Sequence, residues 1–185
     1  AIGNGKFTAT IPARATAETV EVTAKYDGVI AASKAEVEFI PVVNLAATTV
    51  TASPAKVNAD GLSTAVAQVA FRDYAGNPIA LELTKVQLLL NGVSASITDK
   101  GNGVYEATIS ARTAAATVEV TASYDGIAVN EKATVQFVPA INLAATTITA
   151  NPTTVNADGV STSTATVTFR DYAGNPIAVD PAKVG

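Results

Sequence analysis

Apolar and polar residues alternate along most of this chain with a period of two, and turn-forming clusters interrupt the alternation at regular intervals. Residues 64–72 show it plainly. Ala65, Ala67, Val69 and Phe71 fall on one side, with Thr64, Val66, Gln68 and Ala70 on the other. Such alternation marks a strand with one face turned to a core. The same reading predicts strands over 49–52, 79–90, 94–98, 104–111, 117–124 and 133–138. Ser53-Pro54 breaks or bends the first of them at a sheet edge, because proline has no N–H to give to a ladder. Asn58-Ala59-Asp60-Gly61 and Gly101-Asn102-Gly103 read as turns, and Asn91-Gly92 and Asp125-Gly126 as strong hairpin turns, Asp-Gly being a favoured type I′ pair. Seven strands, turns every roughly 8 to 12 residues and no helical period predict a two-layer antiparallel sandwich between Asn44 and Pro139. Val69, Phe71, Ile109, Val118, Val120, Val135 and Phe137 are its expected core.

The pattern also repeats. The stretch Arg72-Asp73-Tyr74-Ala75-Gly76-Asn77-Pro78-Ile79-Ala80 recurs letter for letter at 170–178, an offset of 98 residues. The same offset aligns Ala1 with Asp99 and Gln87 with Gly185 without a gap. The expectation is an all-β chain of tandem immunoglobulin-like antiparallel sandwiches. Residues 1–43 are the C-terminal part of one repeat, 44–141 a complete repeat, and 142–185 the N-terminal part of the next. In the first part, Phe7, Ala9 and Ile11 predict a half-buried strand. Residues 19–24 predict another, with Val20, Val22 and Ala24 inward; Asp27-Gly28 makes a hairpin, and a strand over 35–40 stops at Pro41. In the last part, Leu83 is replaced by Pro181, so the strand expected over 79–90 is an edge or irregular at that point.

The two partial repeats are complementary. Neither closes a sandwich alone, and each is expected to offer an apolar face and open strand edges. Together they supply a repeat lacking only the counterpart of residues 88–98. Self-association is therefore expected, head to tail between neighbouring chains or repeats, with Val20, Val22 and Phe39 meeting Val167 and Phe169 of another molecule. The alternative is a permuted domain, in which the same residues pack on Val69 and Phe71 of their own chain.

Composition narrows the function classes. The 185 residues contain no Cys, Met, His or Trp. No structural zinc, haem or iron–sulfur ligation and no Cys or His catalysis is expected, and no cofactor. A formal charge of −4 gives no basic footprint for nucleic acid. No run approaches the roughly 20 apolar residues that span a bilayer. Ser and Thr are plentiful, but no His is present to activate one, so no enzyme is expected.

The string Val50, Pro54, Val57-Asn58-Ala59-Asp60-Gly61 and Ser63-Thr64, then 72–78, then Gly101-Asn102-Gly103-Val104, resembles the group 1 bacterial immunoglobulin-like domain, the repeat of invasin- and intimin-type adhesins. Ala-Asp-Gly followed by Ser or Thr, and Asp-x-x-Gly-Asn-Pro about 13 residues on, are that family's markers, and both occur twice here. The resemblance covers the whole chain. It implies a structural repeat of a cell-surface or extracellular stalk, fibre or S-layer, a spacer or filament body, with recognition of any host ligand in a domain outside these residues. The alternative reading is an adhesin module that grips a host protein or glycan through the sandwich loops. A binding site should make the loops of one copy diverge, yet the repeated turns are identical.

Candidate sites are few. Asn58, Asp60, Asn156 and Asp158 are the calcium candidates, but the loops lack the dense oxygens that calcium takes, and an Asx-type turn with Gly61 or Gly159 at positive φ is the preferred reading. Asp73 and Asp171 are read the same way. Lys–Asn isopeptide crosslinks occur in surface adhesins, and Lys34, Lys132, Lys85 and Lys183 are the repeated lysines. Glu21 and Glu119 fall on the outer face, which leaves solvated charge rather than the buried acid a crosslink needs. Tyr26 and Tyr124 are expected to pack beside their hairpin turn, and Tyr74 and Tyr172 to be exposed. With five Tyr and five Phe, no sugar-binding platform can be drawn.

Overall fold

In the computed structural model, which describes residues 4–185, the alternation becomes three groups of strands. The first holds β1 (Glu18–Val22), β2 (Lys25–Tyr26), β3 (Val29–Ile30) and β4 (Ala35–Phe39). The second holds β5 (Thr49–Ser53), β6 (Lys56–Ala59), β7 (Ala65–Ala70), β8 (Val86–Leu90), β9 (Val93–Ser94), β10 (Thr98–Gly101), β11 (Val104–Ile109), β12 (Ala116–Tyr124), β13 (Ile127–Ala128) and β14 (Ala133–Pro139). The third holds β15 (Thr147–Asn151) and β16 (Thr164–Thr168). One-turn 3-10 helices sit at Leu45–Ala47, Leu83–Lys85, Leu143–Ala145 and Pro181–Lys183.

The second group is a sandwich. One sheet runs in the order β10-β11-β7-β5, and the other β6-β14-β12-β8-β9, with β13 on the end of β12. The chain leaves the first sheet after β5 and joins the second at β6, with Ser53-Pro54 at the crossing. That proline therefore stands where no ladder bond is needed from it. All pairings are antiparallel except one: β6 lies parallel to β14, with Val57 opposite Phe137. An all-antiparallel sandwich was expected. The parallel pair arises because the first strand is divided between the sheets.

All seven residues expected in the core are buried, none more than 1% exposed. Tyr105, Leu88, Val50 and Ala67 join them. The Phe71 ring packs edge-on against Tyr105 at 5.8 Å and tilted against Tyr124 at 6.0 Å, arrangements that aromatic quadrupoles favour. Among the described residues, every apolar side chain packed on this core comes from the span between Val43 and Phe137.

Three expected strands differ. Residues 79–85 form no ladder: the chain loops to the 3-10 turn Leu83–Lys85, and only Val86–Leu90 joins the sheet. This explains Pro181. At the equivalent 3-10 turn it takes the first helical position, where its missing N–H costs nothing, and Asp180 caps the Ala182 N–H at 3.0 Å. Residues 94–98 are not one strand either, but the end of β9 and the start of β10, joined by a segment in which the Ala95 N–H donates to the Leu88 carbonyl at 2.9 Å. Residues 7–11 form no strand at all, and Phe7 is 80% exposed. Their counterpart, β11, is held between β7 and β10. Among the described residues the first group supplies no such pair of flanking strands, and a lone strand leaves its backbone to water.

The partial groups keep the local structure but not the burial. Val118, Val120 and Val135 are fully buried, whereas Val22 and Val37 at two corresponding positions are 39% and 37% exposed. Val50 is 2% exposed and its counterpart Ile148 77%. Tyr26, expected to pack, is 88% exposed: among the described residues no ring lies on it, whereas Phe71 packs on its counterpart Tyr124.

Candidate functional site

The chemistry of this chain concentrates in the repeated turn at 72–80. Asp73 is buried, and its carboxylate is saturated from within the turn: Oδ1 accepts from the N–H groups of Ala75 at 2.9 Å and Asn77 at 2.8 Å, and Oδ2 from Asn77 Nδ2 at 3.4 Å. The Asp73 N–H donates to the Asn77 carbonyl at 2.9 Å, and the Gly76 N–H to the Asp73 carbonyl at 3.1 Å. Gly76 has φ of 86°, which closes the turn without strain on a side chain. Arg72 Nη1 caps the Gly76 carbonyl at 3.0 Å. Desolvation works against the Asp73 charge, but the donors of Asn77, Ala75 and Gly76 outweigh it and hold the carboxyl below its ordinary range. The copy at Asp171 reproduces every one of these bonds, at 2.9, 2.8 and 3.4 Å to the carboxylate.

This turn also receives the entering chain. Val43 pairs with Asp73, and the Asn44 N–H donates to the Arg72 carbonyl at 2.7 Å. Asn44 then caps the 3-10 turn through Ala46, and its carbonyl accepts from Thr48 Oγ1, both at 3.1 Å. Ile141, Asp171, Asn142 and Arg170 repeat the arrangement. Tyr74, 62% exposed, faces a cleft of about 570 Å³ shared with Ala13, Arg14, Ala15, Ile40 and Val42, residues of the preceding group. In both copies the turn thus holds the chain that enters it, and its carboxylate accepts from the turn's own N–H groups.

The calcium candidates occupy different local settings. Asn58 lies within β6 and Asn156 in the exposed loop before Asp158. Asp60 turns its oxygens onto its own loop: Oδ1 accepts from Leu62 at 2.9 Å and Ser63 at 2.7 Å, and Oδ2 from Ser63 Oγ at 2.7 Å. Asp158 does the same with Val160 and Ser161. The Ser63 and Leu62 N–H groups lower the Asp60 carboxyl, and the Ser161 and Val160 N–H groups bring Asp158 to about 2. Among the described residues, no three His, Cys, Asp or Glu side chains gather as metal ligands do. The repeated lysines form exposed ion pairs: Lys34 with Glu21 at 2.9 Å, Lys132 with Glu119 at 3.3 Å and Lys85 with Glu82 at 3.5 Å. Lys183 ends the last 3-10 turn, whose preceding acid, Asp180, caps the turn.

Two residues were missed by the sequence reading. Tyr105 is fully buried and its hydroxyl bridges the Leu81 backbone; a tyrosine two residues after a turn glycine in an alternating strand was the available signal. Arg112 stacks its guanidinium 5.6 Å from the Phe137 ring centre, and nothing in its sequence neighbourhood foretells that partner.

Among solved structures, the chain is similar to invasin, a bacterial integrin-binding protein, at 26% identity and a TM-score of 0.60 over 88% of this chain and 34% of that one. It is similar to InvD of Yersinia pseudotuberculosis at 27% identity and a TM-score of 0.50, over 71% of this chain and 39% of the other. The Escherichia coli adhesin FdeC shares the fold at 24% identity and a TM-score of 0.60, over 88% and 53%. The chain spans about a third to a half of the length of these proteins. No curated protein sequence matches it. No described helix is long and apolar enough to cross a membrane. Its place is the bacterial cell surface or the extracellular space. The family model described as invasin, domain 3, matches residues 44–140, just over half the chain, and the chain belongs to that family of bacterial immunoglobulin-like adhesin domains.

Proposed function

We propose that this chain is a spacer: a window of a tandem array, with parts at 1–43, 44–141 and 142–185, that holds a recognition element away from a bacterial surface or forms the body of a surface filament. The observation that carries this reading is the seat of the linker. In both copies the same buried aspartate fixes the same turn, and that turn fixes the entering strand through a paired residue and a 2.7 or 2.8 Å backbone bond. A junction stitched this way limits bending between neighbours, as stacked repeats require. Its carboxylates are spent on the protein's own N–H groups, which supports a structural rather than a catalytic role.

Small-angle scattering on chains of one to four repeats tests it. The maximum dimension should grow in equal steps with repeat number. Growth that falls away with length, as a freely jointed string gives, overturns the spacer reading. The second reading, an adhesin module, draws support from the relatives' printed names, one of them an integrin-binding protein. Binding of the 44–141 repeat to a host-protein or glycan panel, abolished by changes in its loops, would favour it.

A further inference from the structure

The ladder between β10 and β11 stops short. Thr98 opposite Glu106 is its last pair, although β11 continues to Ile109. The next pair would set Ser96 opposite Thr108, but the Ala95 N–H donates to the Leu88 carbonyl at 2.9 Å and ties this segment to the other sheet. A cleft of about 660 Å³ opens there, lined by Ser96 on one side and by Thr108 and Ser110 on the other. Along a strand, successive residues turn their backbone groups to opposite sides. Gly103 gives its carbonyl to Phe71, on the β7 side, so the N–H and carbonyl of Thr108 and the N–H of Ser110 face the cleft. Among the described residues, these groups have no backbone partner on that side. Every residue of the cleft belongs to the central sandwich.

We propose that this cleft binds the free C-terminal segment of a partner protein, extended as a strand beside the open half of β11. One residue of the segment exchanges both backbone bonds with Thr108, and the Ser110 N–H takes a third, as strand addition to a sheet edge requires. Antiparallel pairing continues the line of β10 and is the more stable sense. A segment running in that sense heads for Thr98, where β10 already fills the edge and the segment has to stop. A chain end stops there by itself, and its carboxylate meets the ammonium of Lys100, which also lines the cleft. Glu106 does not cancel that charge. It accepts from Gln68 Nε2 at 3.0 Å, and Lys100 stands 3.6 Å from its other oxygen with half its side chain exposed. The wall at Ala95 and Ser96 confines the opening to a single strand, so the edge of a second folded sandwich does not fit. The lining also differs between copies where the linker turn does not: Val66, Glu106 and Ser110 correspond to Thr164, Thr8 and Pro12. Proline at the Ser110 position has no N–H to give. The cleft lies on the flank of the repeat, away from both linker turns, so a spacer and a binding module can carry it alike.

The 185-residue chain itself supplies the test. Hydrogen exchange followed by NMR should find the Thr108 amide open in the free chain and the Ile109 amide, turned to β7, protected. The probe is a library of random heptapeptides with free C-termini, selected on the immobilised chain. Peptides should be retained, and each should slow exchange at Thr108 when bound. Amidating the peptide C-terminus should weaken binding at least about tenfold, and so should N-methylating the residue opposite Thr108. Ser110→Pro should weaken it as much, because Ser110 lies just past β11 and proline there removes a donor without breaking the ladder. If Ser110→Pro shifts the thermal transition, amidation and N-methylation decide alone, since they leave the protein untouched. The proposal is overturned if no peptide is retained, if retained peptides bind equally well as amides, or if Thr108 exchanges as fast with peptide as without. Binding undiminished in a folded Ser110→Pro chain overturns it too. None of these outcomes depends on how the length of the array grows with repeat number.

Discussion

Tyr105 holds Leu81 by both sides of its backbone: its hydroxyl accepts from the Leu81 N–H at 2.8 Å and donates to the Leu81 carbonyl at 2.7 Å. The bond ties β11 to the irregular segment between the repeated turn and β8. That segment has no ladder of its own, so a side chain does the work of a neighbouring strand. Tyr105→Phe keeps the ring against Phe71 but leaves both Leu81 groups without a partner. It should cost about 1–3 kcal/mol in chemical denaturation. A loss near zero would mean water replaces the hydroxyl.

Gly103 should tolerate no side chain. It has φ of 70°, and a Cβ there would stand 2.4 Å from the Ile79 carbonyl oxygen and 2.9 Å from that of Phe71. Its own carbonyl accepts from the Phe71 N–H at 2.9 Å, so it cannot step aside. Gly103→Ala should destabilise the central repeat by at least about 2 kcal/mol. Gly5, at the corresponding position with φ of 71° and nothing within 4 Å of a Cβ, is the internal control. Gly5→Ala should leave the main thermal transition where it is.

Phe71→Ala removes the ring that Tyr105 and Tyr124 both touch and should cost about 3–5 kcal/mol. Phe169→Ala, at the same place in a group with no closed core, should barely change the melting curve of the dilute chain. Equal losses from the two would contradict the difference in their surroundings.

Acid should weaken the central repeat through its turn carboxylates. Asp60 and Asp73 both have folded pKa values below their ordinary ones, so the stability they contribute is complete above the unfolded value near 4 and is lost as pH falls through the lower folded values. Denaturant midpoints measured between pH 5 and pH 2 should therefore decline. Asp73→Asn should start lower at pH 5 and decline less steeply. A parallel decline would show that Asp73 does not titrate with unfolding.

Calcium should not matter to folding. The oxygens of Asp60 and Asp158 are taken by N–H and hydroxyl donors of their own loops, which leaves too few for a site of six to eight ligands. Melting curves with calcium and with chelator should superimpose, and a rise of many degrees with calcium would overturn this.

Alternation alone was enough to place Val69, Phe71, Val118, Val120, Val135 and Phe137, because a buried sheet face admits only one register. The turns were legible for a related reason: Asp27-Gly28 and Asp125-Gly126 need positive φ, and few residue types supply it. What alternation does not carry is which strand lies beside which. Residues 7–11 alternate as well as β11 does, yet form no strand, and among the described residues no strand flanks them. The run at 79–90 looked like one strand because its apolar residues serve two ends, Leu81 held by Tyr105 and Leu88 in the sheet. The linker seat was half visible. The identical turn was evident, but its bond to Asn44 joins residues whose contact no local pattern announces.

The parallel pairing of β6 with β14 has a consequence for a chain stretched between its ends. Tension enters through β5 and β6 and leaves through β14, so it draws these two neighbours past each other along their length. The ladder from Gln136 opposite Lys56 to Pro139 opposite Ala59 is then loaded in shear, and its bonds must give way together. A hairpin pulled open from one end would yield them one at a time. The crossing at Ser53-Pro54, which looks like an interruption of the first strand, is what places a parallel neighbour beside the last one, and a domain built this way resists extension better than its short strands suggest.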